Sequence, residues 1–181
     1  MGAAFAPLAF ASAIHTATQV ALFDPKSADS FLYGSQYYRA PSPRKEDWDR
    51  DLAQMAKLGF NAVKFWAQWR WNNPAEDEYD FSDLDLLMDL SQEHGLRVML
   101  NTIVDVAPAW IYRKYPDASM LTLGGQRVGP QTQPHRQIGG LGVCLNHAEV
   151  MRHLGDFVRA TVERYTHHAA WTSGMSRVSP S

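Results

Sequence analysis

The chain has 181 residues, of which 45% are hydrophobic and 20% charged, a balance typical of a globular protein rather than a disordered or membrane-spanning one. Its formal net charge of −2 creates no bulk attraction to nucleic acid or to anionic lipid, so we expect neither as a partner. The single cysteine, Cys144, excludes an internal disulfide and leaves the redox compartment unassigned.

The first 30 residues show no clear periodicity, and we expect them to be a disordered extension ahead of the folded domain or the product of a miscalled start. Met1 to Val20 is rich in alanine, but no basic segment precedes its apolar residues, and Pro7 and His15 interrupt the run. A secretory signal peptide is therefore the weaker interpretation, and a cytoplasmic location is the one we favour.

The pattern that follows predicts a strand and then a helix. The aromatic run Phe31 to Tyr38 favours the strand. Ser42 followed by Pro43 is typical of a helix start, and Gly59 supplies the stop. Apolar residues recur between them at helical spacing, namely Trp48, Leu52, Met55 and Leu58.

A second strand and helix come next along the chain. Asn61 to Trp66 is mostly apolar and predicts the strand. Ser82 and Asp85 form a weak capping box at the start of the helix, and His94-Gly95 ends it. The buried side of this helix is expected to consist of leucines, namely Leu86, Leu87 and Leu90.

The third unit begins at Leu96 to Leu100, which is apolar apart from Arg97, as expected of a strand covered on both faces. A long loop over residues 105–145 follows, and loops of this length are usually functional. Asn146 with Glu149 is expected to cap a third helix. The apolar stripe of that helix would be Val150, Leu154, Phe157 or Val158, Thr161 and Tyr165.

Three successive strand–helix units predict an α/β fold with a parallel sheet and right-handed crossovers. A doubly wound sheet would normally have a glycine-rich turn after its first strand, and Tyr38 to Pro41 contains no glycine. A TIM (β/α)8 barrel fits better, but such a barrel takes about 250 residues. We therefore expect a truncated barrel, its N-terminal portion of about three βα units.

Several motifs occur in a characteristic order and spacing. They are Y-G-S-Q-Y-Y-R, W-D-R-D-L-A-Q-M-A-K-L-G-F-N-A-V-K, E-D-E-Y-D-F-S-D-L-D, A-P-A-W-I-Y-R-K-Y-P and H-R-Q-I-G-G. Together they resemble the N-terminal part of the catalytic barrel of glycoside hydrolase family 42, the β-galactosidases. The resemblance implies that residues 31–170 are a partial catalytic domain of a hydrolase that cleaves terminal β-galactosides without a cofactor. Another retaining-glycosidase barrel, with β-glucan or β-mannan specificity, is the runner-up.

The mechanism that the resemblance implies is retaining hydrolysis by two carboxylates about 5–5.5 Å apart, an acid/base and a nucleophile. In the family the acid/base Glu follows an Asn at the end of the fourth strand, and the nucleophile Glu ends the seventh. Neither position occurs in this sequence, so we expect no catalytic Glu and no activity of the isolated chain. Two alternatives come from other functional classes. One is a non-catalytic carbohydrate-binding remnant, and the other is an intact half that completes its barrel with a second polypeptide encoded directly downstream.

The tail from Trp171 to Ser181 does not resemble the family's fourth strand, and we expect it to be non-native. In a shifted reading frame its codons permit L-D-V-W-N-E-P, which contains the Asn-Glu pair of that strand. We therefore hypothesise a frameshift just before Trp171; the alternative is a coincidence among degenerate codons. The gene decides between them, because a Ser176 codon of the TCN type excludes the shifted Glu.

Five residues are candidates for contact with a sugar. Trp69 and Trp71 follow the second strand, and an indole ring can pack on the apolar face of galactose. Asn101 and Asp105 lie at the end of the third strand, where the site of a barrel is built. Arg136 is the contact that the resemblance implies, because the family uses an Arg in this loop region.

Two further expectations concern metal and self-association. Cys144 and His147 have a spacing that can suit zinc, but no downstream cysteines complete such a site, so we expect no metal. An open parallel sheet exposes edge strands and apolar faces, which predicts association of the chain with itself.

Overall fold

The computed structural model of the chain describes residues 31–104, 106–128 and 142–174. The expected N-terminal extension lies outside the described residues, and so do Asp105, Arg136 and the tail beyond Gly174. The strands are β1 (Gly34–Arg39), β2 (Ala62–Gln68), β3 (Arg97–Ile103) and β4 (Trp171–Gly174). The helices are α1 (Trp48–Lys57), α2 (Trp69–Asn72), α3 (Ser82–Glu93), α4 (Ala109–Lys114) and α5 (Ala148–Tyr165).

The four strands form one sheet in the order β1-β2-β3-β4, and each strand is parallel to its neighbour. Helices connect consecutive strands, so the predicted parallel α/β architecture is confirmed. β4 pairs with β3 and includes the first four residues of the tail. The frameshift hypothesis for that tail stays a prediction.

The core lies between the sheet and its helices. Along β2, alternate residues Val63, Phe65 and Ala67 are buried, and they meet Val98 and Leu100 of β3 on the same side. The helices contribute their own buried residues, chiefly Trp48, Leu52, Leu84, Leu87, Met88, Val150, Leu154, Phe157, Thr161 and Tyr165. The stripe predicted for α5 is confirmed, with Phe157 rather than Val158 fully buried. Leu58, expected to be buried, is 64% exposed because it lies at the capping position after α1.

Strand β1 contains a bulge at Tyr37. Gln36 pairs with Lys64, but the next pair in register is Tyr38 with Phe65, so Tyr37 has no partner on β2. A bulge of this kind adds one residue to one strand and changes which side the following residues face.

The contacts of the two tyrosines show the effect of the bulge. The Tyr37 hydroxyl donates to Asp51 of α1 and the Tyr38 hydroxyl donates to Asp83 of α3, each at 3.0 Å. Both rings therefore lie on the helix-facing side of the sheet. Arg39 then falls in register with Trp66 on the opposite side, which we call the inner face.

The helix start predicted at Ser42-Pro43 is wrong. The N–H and C=O of Ser42 are both bonded to the backbone of Arg39, at 2.8 and 2.9 Å, in a tight turn after β1. The chain then forms a 3₁₀ turn over Lys45–Asp47 before α1 begins at Trp48.

The other two predicted caps are also wrong, because neighbouring side chains take the capping role. Asp80 Oδ1 accepts hydrogen bonds from the Ser82 N–H at 3.0 Å and hydroxyl at 2.7 Å, so Ser82 is held by Asp80 instead of capping α3. At the start of α5, His147 Nδ1 accepts from the Val150 N–H at 3.4 Å, in place of Asn146.

The predicted long loop contains structure that its composition did not reveal. Helix α4 occupies its first part, and Trp110 and Ile111 of this helix are buried. A backbone bridge between Ser119 and Val143 then joins the two described parts of the loop.

Candidate functional site

The carboxyl ends of β1, β2 and β3 bring three side chains into one row. Arg39 is in register with Trp66, and Trp66 is in register with Asn101. Residues in register on neighbouring strands point to the same side of a sheet, so all three lie on the inner face. Each is the last residue of its strand or stands two before the end. We call this set the edge row.

Two members of the edge row have buried polar atoms with no hydrogen-bond partner. These atoms are Nε and Nη2 of Arg39 and Nε1 of Trp66. All three are donors, because neither a guanidinium nor an indole has an acceptor nitrogen. An unmet buried donor costs about 1–3 kcal/mol, and more when it is charged. A ligand or protein group that accepts these hydrogen bonds would therefore be bound favourably.

Lys64 adds a second positive charge to the inner face. Its Nζ lies 4.2 Å from the centre of the Trp66 ring, which is a cation–π contact and places both side chains on one side of β2. The sequences of the four strands contain no Asp or Glu. The inner face of the described sheet is therefore cationic.

The two tryptophans predicted to contact a sugar have different environments. Trp71 is 46% exposed on α2, just past the carboxyl end of β2. Trp69 is fully buried, and its Nε1 donates to Asn73 Oδ1 at 3.0 Å. Only Trp71 of this pair therefore presents an open ring to a ligand.

Of the other predicted contacts, Asn101 lies in the edge row. Asp105 and Arg136 lie outside the described residues. Sequence reasoning missed Arg39 and treated Trp66 only as the last residue of a predicted strand. A signal for Arg39 was present, because a charged residue directly after an aromatic strand stands at its carboxyl end, but the bulge at Tyr37 hides which face it occupies.

Asn73 organises the loop that carries Trp71 past the edge of the sheet. Its Oδ1 accepts from Trp69, and its backbone oxygen accepts from Nε1 of Trp110 at 3.1 Å. Its amide nitrogen donates to the backbone oxygens of Ala75 at 2.7 Å and Glu78 at 2.9 Å. The side chain of Asn73 thus connects α2 to the following loop, and its backbone oxygen connects the loop to α4.

A second group of titratable residues lies between α4 and α5, around the buried His153. Arg152 Nη2 donates to His153 Nε2 at 2.8 Å, and the Tyr115 hydroxyl lies 3.1 Å from the same nitrogen. Because Arg can only donate, Nε2 must accept and the imidazole is neutral. Burial, followed by the charge of Arg152, lowers the pKa of His153. The ion pair of Glu76 with Lys114 lies beside it.

No group of three His, Cys, Asp or Glu side chains in the described ranges is arranged to hold a metal ion. Within the same ranges, no helix combines the length and the apolar character that crossing a bilayer requires.

A comparison of the sequence with known families decides the assignment. The profile of the family described as Beta-galactosidase, glycoside hydrolase family 42, matches residues 36–173. The chain belongs to glycoside hydrolase family 42. The resemblance seen in the motifs is thereby confirmed, and the β-glucan and β-mannan barrels are disfavoured.

Curated relatives of this family-42 chain are bacterial β-galactosidases. It is 34% identical over 149 residues to β-galactosidase LacZ of Heyndrickxia coagulans, covering 80% of this chain and 21% of that protein. It is 32% identical over 142 residues to β-galactosidase bgaB of Geobacillus kaustophilus, covering 78% and 20%. The chain therefore spans about a fifth of the length of these relatives.

Solved structures agree on the fold. The β-galactosidase of Halorubrum lacusprofundi superposes with a TM-score of 0.64 at 25% identity, over 77% of this chain and 20% of that one. The β-galactosidase of Marinomonas ef1 superposes with a TM-score of 0.67 at 24% identity, over 78% and 21%. The four-stranded sheet of this family-42 chain is thus part of a (β/α)8 barrel.

Proposed function

We propose that this family-42 chain supplies the sugar-facing edge of a β-galactoside-hydrolysing barrel. The observation that carries the proposal is the edge row, in which Arg39, Trp66 and Asn101 meet at the carboxyl ends of parallel strands. Barrel enzymes build their sites at this end of the sheet. The β-galactosidase relatives support a galactoside as the sugar.

The described side chains suit the two surfaces of a galactose ring. The donors of the edge row and the amide of Asn101 suit sugar hydroxyls, and the open indole of Trp71 suits the apolar face. Asp105 and Arg136 are proposed as further contacts on the strength of the sequence. No cofactor is required for hydrolysis by the family's two-carboxylate mechanism.

The described part of the chain does not supply that pair of carboxylates. No described strand contains Asp or Glu. Two acidic residues that follow α2 already have partners within the chain, since Glu76 forms an ion pair with Lys114 and Asp80 accepts a hydrogen bond from Ser82. We therefore expect the 181-residue chain alone to bind a galactoside without hydrolysing it. This outcome also corresponds to the carbohydrate-binding alternative.

Two measurements on the purified full chain test the proposal. Saturation-transfer NMR with methyl β-galactoside should give a signal that Trp71→Ala removes and Phe31→Ala retains, since Phe31 is exposed near the opposite end of the sheet. Incubation with o-nitrophenyl galactoside should release no nitrophenol. Absence of sugar binding would remove the sugar-site proposal, and turnover would contradict the inactive chain.

We also propose that the chain associates with itself through its sheet edges. β1 and β4 end the strand order, so each has one side without a strand partner among the described residues. Unpaired strand edges are templates for pairing with another chain. Light scattering at micromolar concentration should give a mass above that of one chain; a monomeric mass would contradict this.

A further inference from the structure

The buried His153 of α5 faces three different groups through one ring nitrogen. Its side chain is 5% exposed, and its Nε2 accepts a hydrogen bond from Nη2 of Arg152 at 2.8 Å. The hydroxyl of Tyr115, just after α4, lies 3.1 Å from this nitrogen. A carboxylate oxygen of Glu76, in the loop after α2, lies 3.8 Å away. The neutral imidazole thus has a cation as its donor and an anion just beyond hydrogen-bond reach.

A proton on Nε2 reverses the preference for these neighbours. The nitrogen then becomes a donor and can no longer accept from Arg152, whose charge it also repels. Arg152 keeps other partners, since it already donates to Glu149 at 3.1 Å and to Asp156 at 3.3 Å. Glu76 can accept the new N–H after an approach of about 1 Å. Two arrangements of the same charges are therefore available, and the proton selects between them.

The charged groups that face His153 set the range of pH in which the exchange occurs. Burial lowers the pKa of His153 most, and the charges of Arg152 and Lys114 lower it further. The carboxylates of Glu76 and Glu149 act in the opposite direction but do not outweigh these effects. The exchange is therefore expected below the ordinary histidine value of about 6.5.

The turn that carries Glu76 is tied to the end of α2, where the open ring of Trp71 lies. The Asn73 amide donates at 2.7 and 2.9 Å to two backbone oxygens that flank Glu76. The Asn73 backbone oxygen accepts from the indole of Trp110 at 3.1 Å. The Trp110 ring meets the His153 ring nearly at right angles, with the centres 4.8 Å apart. Two routes of direct contact thus lead from His153 to Asn73, two residues after Trp71.

We propose that protonation of His153 draws Glu76 toward the imidazole and shifts the end of α2, so that the chain binds a galactoside more weakly at acid pH. The described arrangement, in which the Trp71 ring is open, belongs to the neutral imidazole, so the neutral form is the one expected to bind sugar. His153 is then a positioning residue for Trp71 and not a sugar contact. The effect on sugar binding rests on the proposed function, whereas the exchange of partners does not.

The first test is an NMR titration of the full chain between about pH 7.5 and about pH 5. The indole N–H signals of Trp71 and Trp110 should shift with the same midpoint as the His153 ring. Both shifts should vanish in His153→Gln, in which the amide oxygen can still accept from Arg152. The control His168→Gln removes another histidine with an aspartate partner, beyond the far end of α5, and should leave the shifts unchanged.

Glu76→Gln tests the route of the coupling at a partly exposed position. Loss of the carboxylate should lower the midpoint of His153, because the charge of Glu76 favours the protonated ring. The shift of Trp71 should become smaller at the same time. A Trp71 signal that does not follow the His153 midpoint, or that shifts equally in Glu76→Gln, would overturn the inference.

Titration of methyl β-galactoside at about pH 7 and about pH 5 measures the consequence for binding. The affinity should fall on the order of fivefold at the lower pH, and saturating sugar should lower the His153 midpoint because linkage is reciprocal. Circular dichroism at both pH values checks that the chain stays folded. Sugar binding that does not depend on pH would overturn the inference and leave the proposed function in place. Indole shifts without any sugar binding would support the exchange of partners and overturn the proposed function.

Discussion

Arg164 of α5 binds Asp85 of α3 through two parallel hydrogen bonds, from Nε at 2.7 Å and from Nη2 at 2.6 Å. The Tyr165 hydroxyl donates to the same carboxylate at 2.8 Å. Burial raises the pKa of Asp85, but the hydrogen bonds from Arg164 and Tyr165 outweigh it and lower the pKa overall. Asp85 therefore links α3 to α5, which lie next to each other on one side of the sheet.

Asp85→Asn should reduce the free energy of unfolding by about 1–2 kcal/mol, because the pair is partly exposed and solvent screens its charges. Since the folded-state pKa is below the unfolded value, this stability is present above about pH 4 and is lost as the pH falls through the folded-state pKa. Urea denaturation at neutral and acid pH measures both effects. The control Glu93→Gln removes an exposed carboxylate from the same helix and should change little; an equal loss in both variants would contradict the prediction.

His153 should make stability depend on pH in a different range. Its pKa is lowered by burial and then by the charge of Arg152. At a pH near the unfolded-state value of about 6.5, fewer protons are therefore bound to this histidine in the folded chain than in the unfolded chain. The stability contributed by the neutral imidazole is thus present above about pH 6.5 and is lost as the pH falls below it.

The groups facing His153 set this behaviour: Glu76, Lys114, Tyr115, Glu149 and Arg152. His153→Gln should flatten the fall in unfolding free energy between about pH 7 and about pH 5. A slope unchanged in His153→Gln would refute the assignment.

Gly34 should tolerate no side chain. A Cβ built at this position would lie 1.8 Å from the backbone oxygen of Ala62, and a strand backbone cannot move aside without losing its ladder. Gly34→Ala should therefore lower the free energy of unfolding by about 3 kcal/mol or more.

The matched substitution is Gly155→Ala within α5, where an added Cβ meets nothing within 4 Å. There, alanine should stabilise the helix by about 0.5–1 kcal/mol. Thermal unfolding of the two variants should shift in opposite directions. A stable Gly34→Ala protein would show that β1 is not seated against β2 as described.

Asn73→Ala should release the loop after β2 and destabilise the chain by about 2–3 kcal/mol, since it leaves the buried Trp69 N–H without its acceptor. The exposed Asn146, which caps no helix, provides the control, and Asn146→Ala should be close to neutral. Hydrogen exchange should show faster exchange of the Trp69 indole proton only in Asn73→Ala. Unchanged exchange there would contradict the role of Asn73.

Much of the fold follows from period and burial in the sequence. The apolar residues of β3 and the stripe on α5 are each dictated by the need of those side chains to leave water, so the type and place of both elements were predictable. The helix starts were not, because Asp80 and His147 compete with Ser82 and Asn146 as cap acceptors, and only the folded geometry decides which side chain reaches the N–H. Helix α4 was missed because its six residues are too few for a period to appear.

The candidate site was predictable only in part. Asn101 and Trp71 follow apolar strands, and a residue after a strand end lies at the edge where barrel sites form. The burial of Trp69 depends on its contact with Asn73, four residues away, which no alternation of apolar residues reveals. The face of the sheet on which Arg39 lies depends on the bulge at Tyr37, and the aromatic run in the sequence gives no indication of that bulge.

The bulge at Tyr37 has a consequence for comparing this chain with its relatives. The bulge, and not the chemistry of Arg39, decides which face that side chain serves. Paired one-to-one with β2 and without the bulge, the same six residues would place Arg39 against Ala67 and direct it toward the helices. Correspondences in β1 should therefore be counted from the bulge, since an alignment that is shifted by one position would exchange an inner-face residue for a packing residue.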